Sequence, residues 1–81
     1  MTVTVKLFAR CRDLVGAESA AVELREPASV ADLRMALAER FPKLRPIIPN
    51  CAIAVNEDFA GNDILLNGAD EIALIPPVSG G

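Results

Sequence analysis

Apolar and polar residues alternate from position 2 to position 9, which predicts a first strand with two unlike faces. The faces are Val3, Val5 and Leu7 on one side and Thr4, Lys6 and Phe8 on the other. Residues 10–15 then predict a short helical turn that ends at Gly16, and residues 20–25 predict a second strand. Because the link between the two strands is short, we expect them to pair as an antiparallel hairpin.

The clearest element in the sequence is a helix that begins after Ser29 and ends before Pro42. Ser29 is a favourable N-cap, and Asp32 stands where a capping box places an acidic side chain. The apolar stripe of this helix comprises Val30, Leu33, Leu37 and Phe41, at spacings of three and four residues. One face of the helix is therefore expected to pack on the sheet.

Three further strand segments follow the helix. Residues 51–55 predict a buried strand, and Asn56-Glu57-Asp58 predicts a tight turn into a brief strand around Phe59. Residues 71–75 predict the last strand, with Ile72 and Leu74 on one face and Ala73 and Ile75 on the other.

One helix crossing one face of a mixed sheet is an α+β architecture, and this order of elements predicts the β-grasp roll of ubiquitin. The first and last strands, as the most apolar, are expected to lie side by side in the middle of the sheet. Residues 1–75 would form the domain, and residues 76–81 would be a tail that projects from it.

Composition and charge indicate which classes of partner, among proteins, nucleic acids and membranes, the chain is suited to bind. Hydrophobic residues make up 52% of the chain, which predicts an exposed apolar patch for partner binding, although abundant alanine offers a plainer explanation. The net charge of -3 argues against a nucleic-acid backbone as ligand. Because no apolar run is long enough for a membrane span and the N-terminus lacks the layout of a signal peptide, we expect a cytoplasmic protein.

The residues that usually carry catalysis or metal binding are absent from this sequence. It contains no His and no Tyr, and its carboxylates are scattered singly. The only cysteines, Cys11 and Cys51, could pair, but in a cytoplasmic domain they are better explained as reduced thiols packed as small hydrophobes. The sequence therefore predicts no metal site, no bound cofactor and no independent enzyme.

The C-terminal segment has residues suited to presenting a carboxylate. Pro76 and Pro77 lack N–H groups, so they end the sheet and direct a stiff segment outward. Val78 and Ser79 offer small side chains for recognition. Gly80 and Gly81 have no Cβ, so the backbone can enter a narrow channel and the terminal carboxylate is left uncrowded. Such a carboxylate suits an adenylating enzyme.

The chain resembles the small, sulfur-carrying subunit of molybdopterin synthase, within the ubiquitin-like sulfur carriers. The resemblance covers the whole length and rests on VKLFARCRDLVG, SVADLRMALAERFP, AIAVN and NGADEIALIPPVSGG, with PPVSGG the most specific part. A departure is Asn56-Glu57, where such proteins often have Gly after the Asn. This difference concerns the geometry of a turn and leaves the tail intact.

The resemblance implies a reaction and a set of partners. Gly81 would be adenylated with ATP by an enzyme related to ubiquitin-activating enzymes, and a sulfur donor would then convert it to a thiocarboxylate. The tail would enter a basic pocket of the large synthase subunit and give sulfur to cyclic pyranopterin monophosphate. Phe8, Phe59 and Ile75 are the expected contacts with a partner, although ordinary core packing could also explain each of them.

Two other functions fit the same tail. It could be joined to lysines, which would make the chain a protein modifier, or serve the thiamine pathway as a sulfur carrier. A third possibility is a β-grasp interaction module with an inert tail.

Overall fold

The computed structural model describes residues 1–77, and residues 78–81 lie outside the described part of the chain. Two helices and seven strands occur in the described range. They are, in chain order, β1 (Thr2–Leu7), α1 (Ala9–Val15), β2 (Ser19–Glu23), β3 (Ala28–Ser29), α2 (Val30–Arg40), β4 (Ala52–Val55), β5 (Asp58–Phe59), β6 (Leu65–Leu66) and β7 (Ile72–Ile75). Two short 3-10 turns, Pro42–Leu44 and Ile48–Asn50, connect α2 to β4.

The main sheet has five strands in the order β2-β1-β7-β4-β5. β1 pairs with β2 antiparallel and with β7 parallel, while β4 pairs antiparallel with both β5 and β7. The first and last long strands are therefore neighbours, with β7 in the centre, as the sequence predicts. This mixed sheet with α2 packed on one face is the predicted β-grasp architecture.

The core lies between α2 and one face of the sheet. Alternate strand positions and the helix stripe supply most of its fully buried side chains: Val3, Val5, Val30, Leu33, Leu37, Ile53, Ile72 and Leu74. The predicted stripe of α2 is confirmed for its first three members, whereas Phe41 is half-buried and forms the C-cap of the helix. The alternation read in the sequence thus determines which sheet face is covered.

The capping box of α2 is present as predicted. The Asp32 backbone N–H donates to Ser29 Oγ at 3.2 Å, and the Ser29 backbone N–H donates to Asp32 Oδ2 at 2.9 Å. These two bonds satisfy N–H groups that the start of a helix otherwise leaves without a partner. The helix therefore begins at the position that the sequence predicts.

The segment between β1 and β2 is the short helix α1, which begins one residue before the helical turn predicted at residues 10–15. It ends where the sequence predicts, because Gly16 adopts the left-handed conformation at φ 82° and its N–H donates to Arg12 O at 2.7 Å. The strands that α1 connects, β1 and β2, pair directly with each other and antiparallel, in agreement with the predicted hairpin.

A small second sheet of β3 and β6 is absent from the sequence-based prediction. Ala28 lies opposite Leu66 and Ser29 opposite Leu65. The strands have two residues each, so neither shows an alternation that a sequence pattern could reveal. The pairing holds residues 65–66 beside the start of α2.

The outer edge of β2 is contacted by the last residue of α2. Arg40 Nη1 donates to the Ala21 carbonyl oxygen at 2.7 Å, and the guanidinium carbon lies 5.4 Å from the centroid of the Phe41 ring. At the opposite edge of the sheet, β5 has only two residues. Neither described helix is long and apolar enough to span a membrane.

Candidate functional site

The face of the main sheet opposite α2 carries small and polar side chains. Strand register places Lys6 opposite Ala73, Ala73 opposite Ala54, and Ala54 opposite Phe59, so these four residues form one row across four strands. Ala52 and Ile75 are opposed in a second row. We call this surface the open face, defined by Thr4, Lys6, Ala52, Ala54, Phe59, Ala73 and Ile75.

A shallow groove lies on the open face. It is lined by Thr4, Lys6, Phe8, Ala54, Glu57, Glu71, Ile72 and Ala73. Its floor is apolar because it consists of the methyl groups of Ala54 on β4 and Ala73 on β7. One cationic group, Lys6, and two carboxylates, Glu57 and Glu71, border this floor, so the groove combines apolar area with charges of both signs.

Phe8 and Ile75 lie at the same end of the open face. The backbone N–H of Phe8 donates to the Leu74 carbonyl oxygen at 3.3 Å, which continues the β1–β7 register one step beyond the Leu7–Leu74 pair. Phe8 is 45% exposed and Ile75 is half-buried. The structure therefore brings together two of the three residues that the sequence singled out for partner contact.

Phe59 lies at the far border of the open face, 78% exposed on edge strand β5. Two strand spacings, about 10 Å, separate β5 from β7. The alanines of β4 and β7 occupy the space between Phe59 and the Phe8–Ile75 pair. The three predicted contact residues therefore border one apolar surface. Phe59 lies on one side of it, and the Phe8–Ile75 pair lies on the other.

A hydrogen-bond network fixes the opposite end of β7. Asn56 accepts from the Glu71 backbone N–H through Oδ1 at 2.9 Å and donates through Nδ2 to Asp70 Oδ1 at 3.0 Å. The Asn56 backbone N–H donates to the Glu71 carbonyl oxygen at 2.7 Å. These bonds tie the β4–β5 turn to the start of β7 and thereby set the register of the strand that leads to the tail.

The β4–β5 turn has an unusual backbone for its sequence. Asn56 and Glu57 have φ values of 51° and 72°, both in the left-handed region. Asn tolerates this region well, whereas a glutamate is strained there. Glu57 stands where related proteins often have Gly, and it is this residue that is held at positive φ beside the groove.

The root of the tail leaves the domain directly from the central strand. β7 ends at Ile75; Pro76 is half-buried and Pro77 is exposed. With no N–H on either proline, pairing with β1 and β4 cannot continue. The predicted tail residues Val78, Ser79, Gly80 and Gly81 lie outside the described residues.

Cys11 and Cys51 are free thiols in the core, and their Sγ atoms are 3.8 Å apart. Burial raises the pKa of Cys11 from 9.0 to about 12, and the neighbouring Cys51 adds to this rise. Burial also raises the pKa of Cys51, while its hydrogen bond with Cys11 and the Arg34 charge act in the opposite direction. Within residues 1–77, no group of three or more His, Cys, Asp or Glu side chains could hold a metal ion.

Sequence reasoning overlooked the charged border of the groove. Lys6 was assigned to the correct face, but its neighbours Glu57 and Glu71 are brought to it by the pairing of β4 with β7. The signal available in the sequence was the alternation that places Lys6 beside Thr4 and Phe8. No local pattern connects positions 57 and 71 with position 6.

A family model described as the ThiS family matches residues 5–81. The chain belongs to the ThiS family. The match includes the helix, the central strand and the C-terminal tail, and it agrees with the resemblance to ubiquitin-like sulfur carriers.

Curated relatives match along the entire chain. A molybdopterin synthase sulfur carrier subunit of Drosophila yakuba is 37% identical over 84 residues, covering 100% of this chain and 92% of the relative. The same subunit of Arabidopsis thaliana is 30% identical over 79 residues, covering 98% and 82%. This family member is thus similar over its full length to proteins named for molybdopterin synthase.

Solved structures confirm the β-grasp fold. A molybdopterin converting factor subunit 1 from Pyrococcus furiosus superposes with a TM-score of 0.87 at 32% identity, covering 96% of this chain and 99% of the other. SAMP1 of Haloferax volcanii gives 0.85 at 29%, covering 100% of both chains. A chain in the complex of subunits 1 and 2 of the molybdopterin-converting factor of Helicobacter pylori gives 0.68 at 28%, again covering 100% of both.

Proposed function

We propose that this protein is the sulfur-carrier subunit of a molybdopterin synthase and that Gly81 carries the sulfur. The observation that carries the proposal is the full-length similarity to molybdopterin synthase sulfur carrier subunits, which extends through the Gly-Gly terminus. Residues 1–75 serve as the folded domain, and residues 76–81 serve as the tail that enters a partner's active site.

The chemistry takes place in two steps on the terminal carboxylate. The carboxylate of Gly81 attacks the α-phosphorus of ATP, giving an acyl-adenylate and releasing pyrophosphate. A sulfur nucleophile then attacks the acyl carbon and displaces AMP, leaving a thiocarboxylate. That thiocarboxylate donates its sulfur to cyclic pyranopterin monophosphate in molybdenum cofactor biosynthesis. The channel that leads to the partner's reacting atoms is spanned by the rest of the tail: Pro76, Pro77, Val78, Ser79 and Gly80.

The open face is the docking surface in this proposal. It supports the role because Phe8 and Ile75 adjoin the root of the tail, so a protein that receives the tail is brought next to them. Phe59 extends the contact to the other border of the face. The alanine floor lets a partner's larger side chains approach the sheet backbone, and burial of such side chains supplies most of the affinity of an interface.

The partners follow from the two steps. The large synthase subunit receives the tail, and the Helicobacter pylori complex of subunits 1 and 2 supports such a pairing. An adenylating enzyme related to ubiquitin-activating enzymes supplies the activation, and a separate donor supplies the sulfur. The chain itself holds no cofactor in this reaction and works in the cytoplasm. Its net charge of -3 favours docking to a basic pocket.

Intact mass measurement tests the proposal directly. The protein is incubated with the adenylating enzyme of the same source, ATP and a sulfide donor, and the mass is compared before and after. We expect a gain equal to the exchange of one oxygen for sulfur. The matched control is the same chain with Gly81 amidated, which should keep its mass. An unmodified carboxylate after incubation with an enzyme that is active on another carrier would disprove the carrier role.

A protein-modifier function is the second candidate. It is favoured by the similarity to SAMP1, the small archaeal modifier protein 1 of Haloferax volcanii. The same incubation distinguishes the two functions when lysate protein is added. Isopeptide adducts on lysines of other proteins would support a modifier, whereas a thiocarboxylate without adducts supports the carrier.

A further inference from the structure

Two thiols from distant parts of the chain lie in contact within the core. Cys11 belongs to α1 and Cys51 directly precedes β4, 40 positions later, and their Sγ atoms are 3.8 Å apart. Cys11 is fully buried and Cys51 is 4% exposed. Packing of small hydrophobes explains the burial of each thiol, but it does not require the two sulfurs to face each other.

The two thiols differ in their electrostatic surroundings. Arg34 Nη1 donates to the carbonyl oxygens of Cys51 and Ile48, both at 2.8 Å, and so holds a positive charge beside Cys51. Among residues 1–77, no cation lowers the pKa of Cys11, and a charge on Cys51 further disfavours the Cys11 thiolate. Of the two sulfurs, Cys51 is therefore the one that ionises first.

We propose that Cys11 and Cys51 form a dithiol site that hydrogen peroxide oxidises to an intramolecular disulfide joining α1 to the residue directly before β4. Hydrogen peroxide is the oxidant suited to this site because it is small and uncharged. A low-molecular-weight peptide disulfide carries charged groups that an apolar core excludes. The site is distinct from the tail and does not depend on the sulfur-carrier function.

The reaction balances in two steps. The Cys51 thiolate attacks one oxygen of the peroxide, the O–O bond breaks, and the products are a sulfenic acid and water after protonation. Cys11 then attacks the Cys51 sulfur, the S–O bond breaks, and a second water leaves. Both thiols are oxidised by one electron each, and one peroxide is reduced to two waters. The neighbouring thiol traps the sulfenic acid before further oxidation.

The disulfide would join elements that adjoin the open face. α1 follows Phe8, its N-cap, and Cys51 is followed by Ala52, which lies opposite Ile75. A covalent link here would shorten the separation of the two sulfurs from 3.8 Å to the length of a bond. The backbone around Phe8 and Ala52 is therefore expected to respond more than the distant turn at residues 67–70.

The test uses the full chain with native folding confirmed by circular dichroism. Reduced protein is exposed to hydrogen peroxide, unfolded in guanidinium with a maleimide present, and analysed by intact mass and by mapping of unreduced peptides. Cys11→Ala and Cys51→Ala are the matched variants, and Cys11→Ser and Cys51→Ser replace either one that does not fold. A sulfenic-acid trap is included in parallel samples of the single variants.

We expect the wild type to lose two hydrogens, to take up no maleimide and to yield one peptide pair linked through Cys11 and Cys51. Cys11→Ala should give a trapped sulfenic acid on Cys51, and Cys51→Ala should react more slowly than Cys11→Ala. The proposal is overturned if the wild type takes up two maleimides after exposure, if its sulfurs gain oxygen without cross-linking, or if the disulfide joins two molecules.

Discussion

Phe8 and Ile75 stand side by side at the ends of the two central strands. The Phe8 N–H bonded to the Leu74 carbonyl oxygen fixes this placement through the backbone, independently of either side chain. Ile75 is also the last residue before the prolines that end the sheet. The exposed aromatic ring of Phe8 is thereby held beside the root of the tail.

Charge introduced at this pair should weaken docking. We expect Ile75→Lys to reduce affinity for the large synthase subunit by about tenfold or more, because the ammonium would lose its hydration when the partner covers it. Titration calorimetry measures the change. Met35→Lys is the control, since Met35 is 69% exposed on α2, outside the open face. Equal losses in both variants would contradict the assignment of the open face.

Loss of the terminal residue should separate function from folding. The core cluster runs from Val3 to Leu74, so deletion of Gly81 is expected to change the free energy of unfolding by less than about 0.5 kcal/mol. The same deletion should abolish thiocarboxylate formation in the intact-mass assay. A large drop in the denaturant midpoint would mean that the terminus contributes to the fold, contrary to the role proposed for it.

Glu57 is expected to be a site of stored strain. Its φ of 72° suits glycine, so Glu57→Gly should raise the free energy of unfolding by roughly 0.5–1 kcal/mol, after the greater freedom of glycine in the unfolded chain is subtracted. Urea denaturation measures the difference. Glu57→Ala keeps the Cβ at positive φ and removes the carboxylate with its charge, so it should give little gain. If both variants gain equally, repulsion between carboxylates and not backbone strain is the cause.

Alkaline pH should destabilise the protein partly through its thiols. The pKa of Cys11 is raised from 9.0 to about 12, so between these values the unfolded state loses its thiol proton while the folded state keeps it. The folded state binds more protons in this window, and stability that is complete below pH 9 is lost as the pH rises toward 12. Denaturant unfolding at pH 8 and at about pH 10.5 measures the slope, which should be smaller in Cys11→Ala. All other ionisable groups are common to the two proteins, so their contributions cancel in this comparison.

The sequence predicts those features of the fold that depend on patterns within a few neighbouring residues. Alternation in β1 placed Val3 and Val5 in the core and Lys6 outside it, and the Ser29–Asp32 capping box located the start of α2. Both signals act within a few residues, where the period of the backbone dictates which side chains share a face. The Gly-Gly terminus was recognisable for the same reason, because its signal lies in adjacent residues of the sequence.

What the sequence could not predict depends on contacts between distant positions. The pairing of Ala28 with Leu66 joins two strands too short to have a period. The approach of Cys11 to Cys51 requires α1 to pack against the start of β4, and nothing near either cysteine indicates it. Likewise, Glu71 reaches the groove because Asn56 binds its backbone N–H across the sheet. Such placements follow from the assembled fold.

The hydrogen bond from Arg40 to the Ala21 carbonyl has a consequence for how these molecules associate. An incoming strand from another molecule would need that carbonyl as an acceptor, and it would first have to displace a charge-assisted bond. The opposite border, β5, offers only two residues as a template. Growth of the sheet into a polymer is thus disfavoured at both borders, although an apolar face is exposed. Stacking of partners on the sheet is consequently favoured over extension of the sheet at either border.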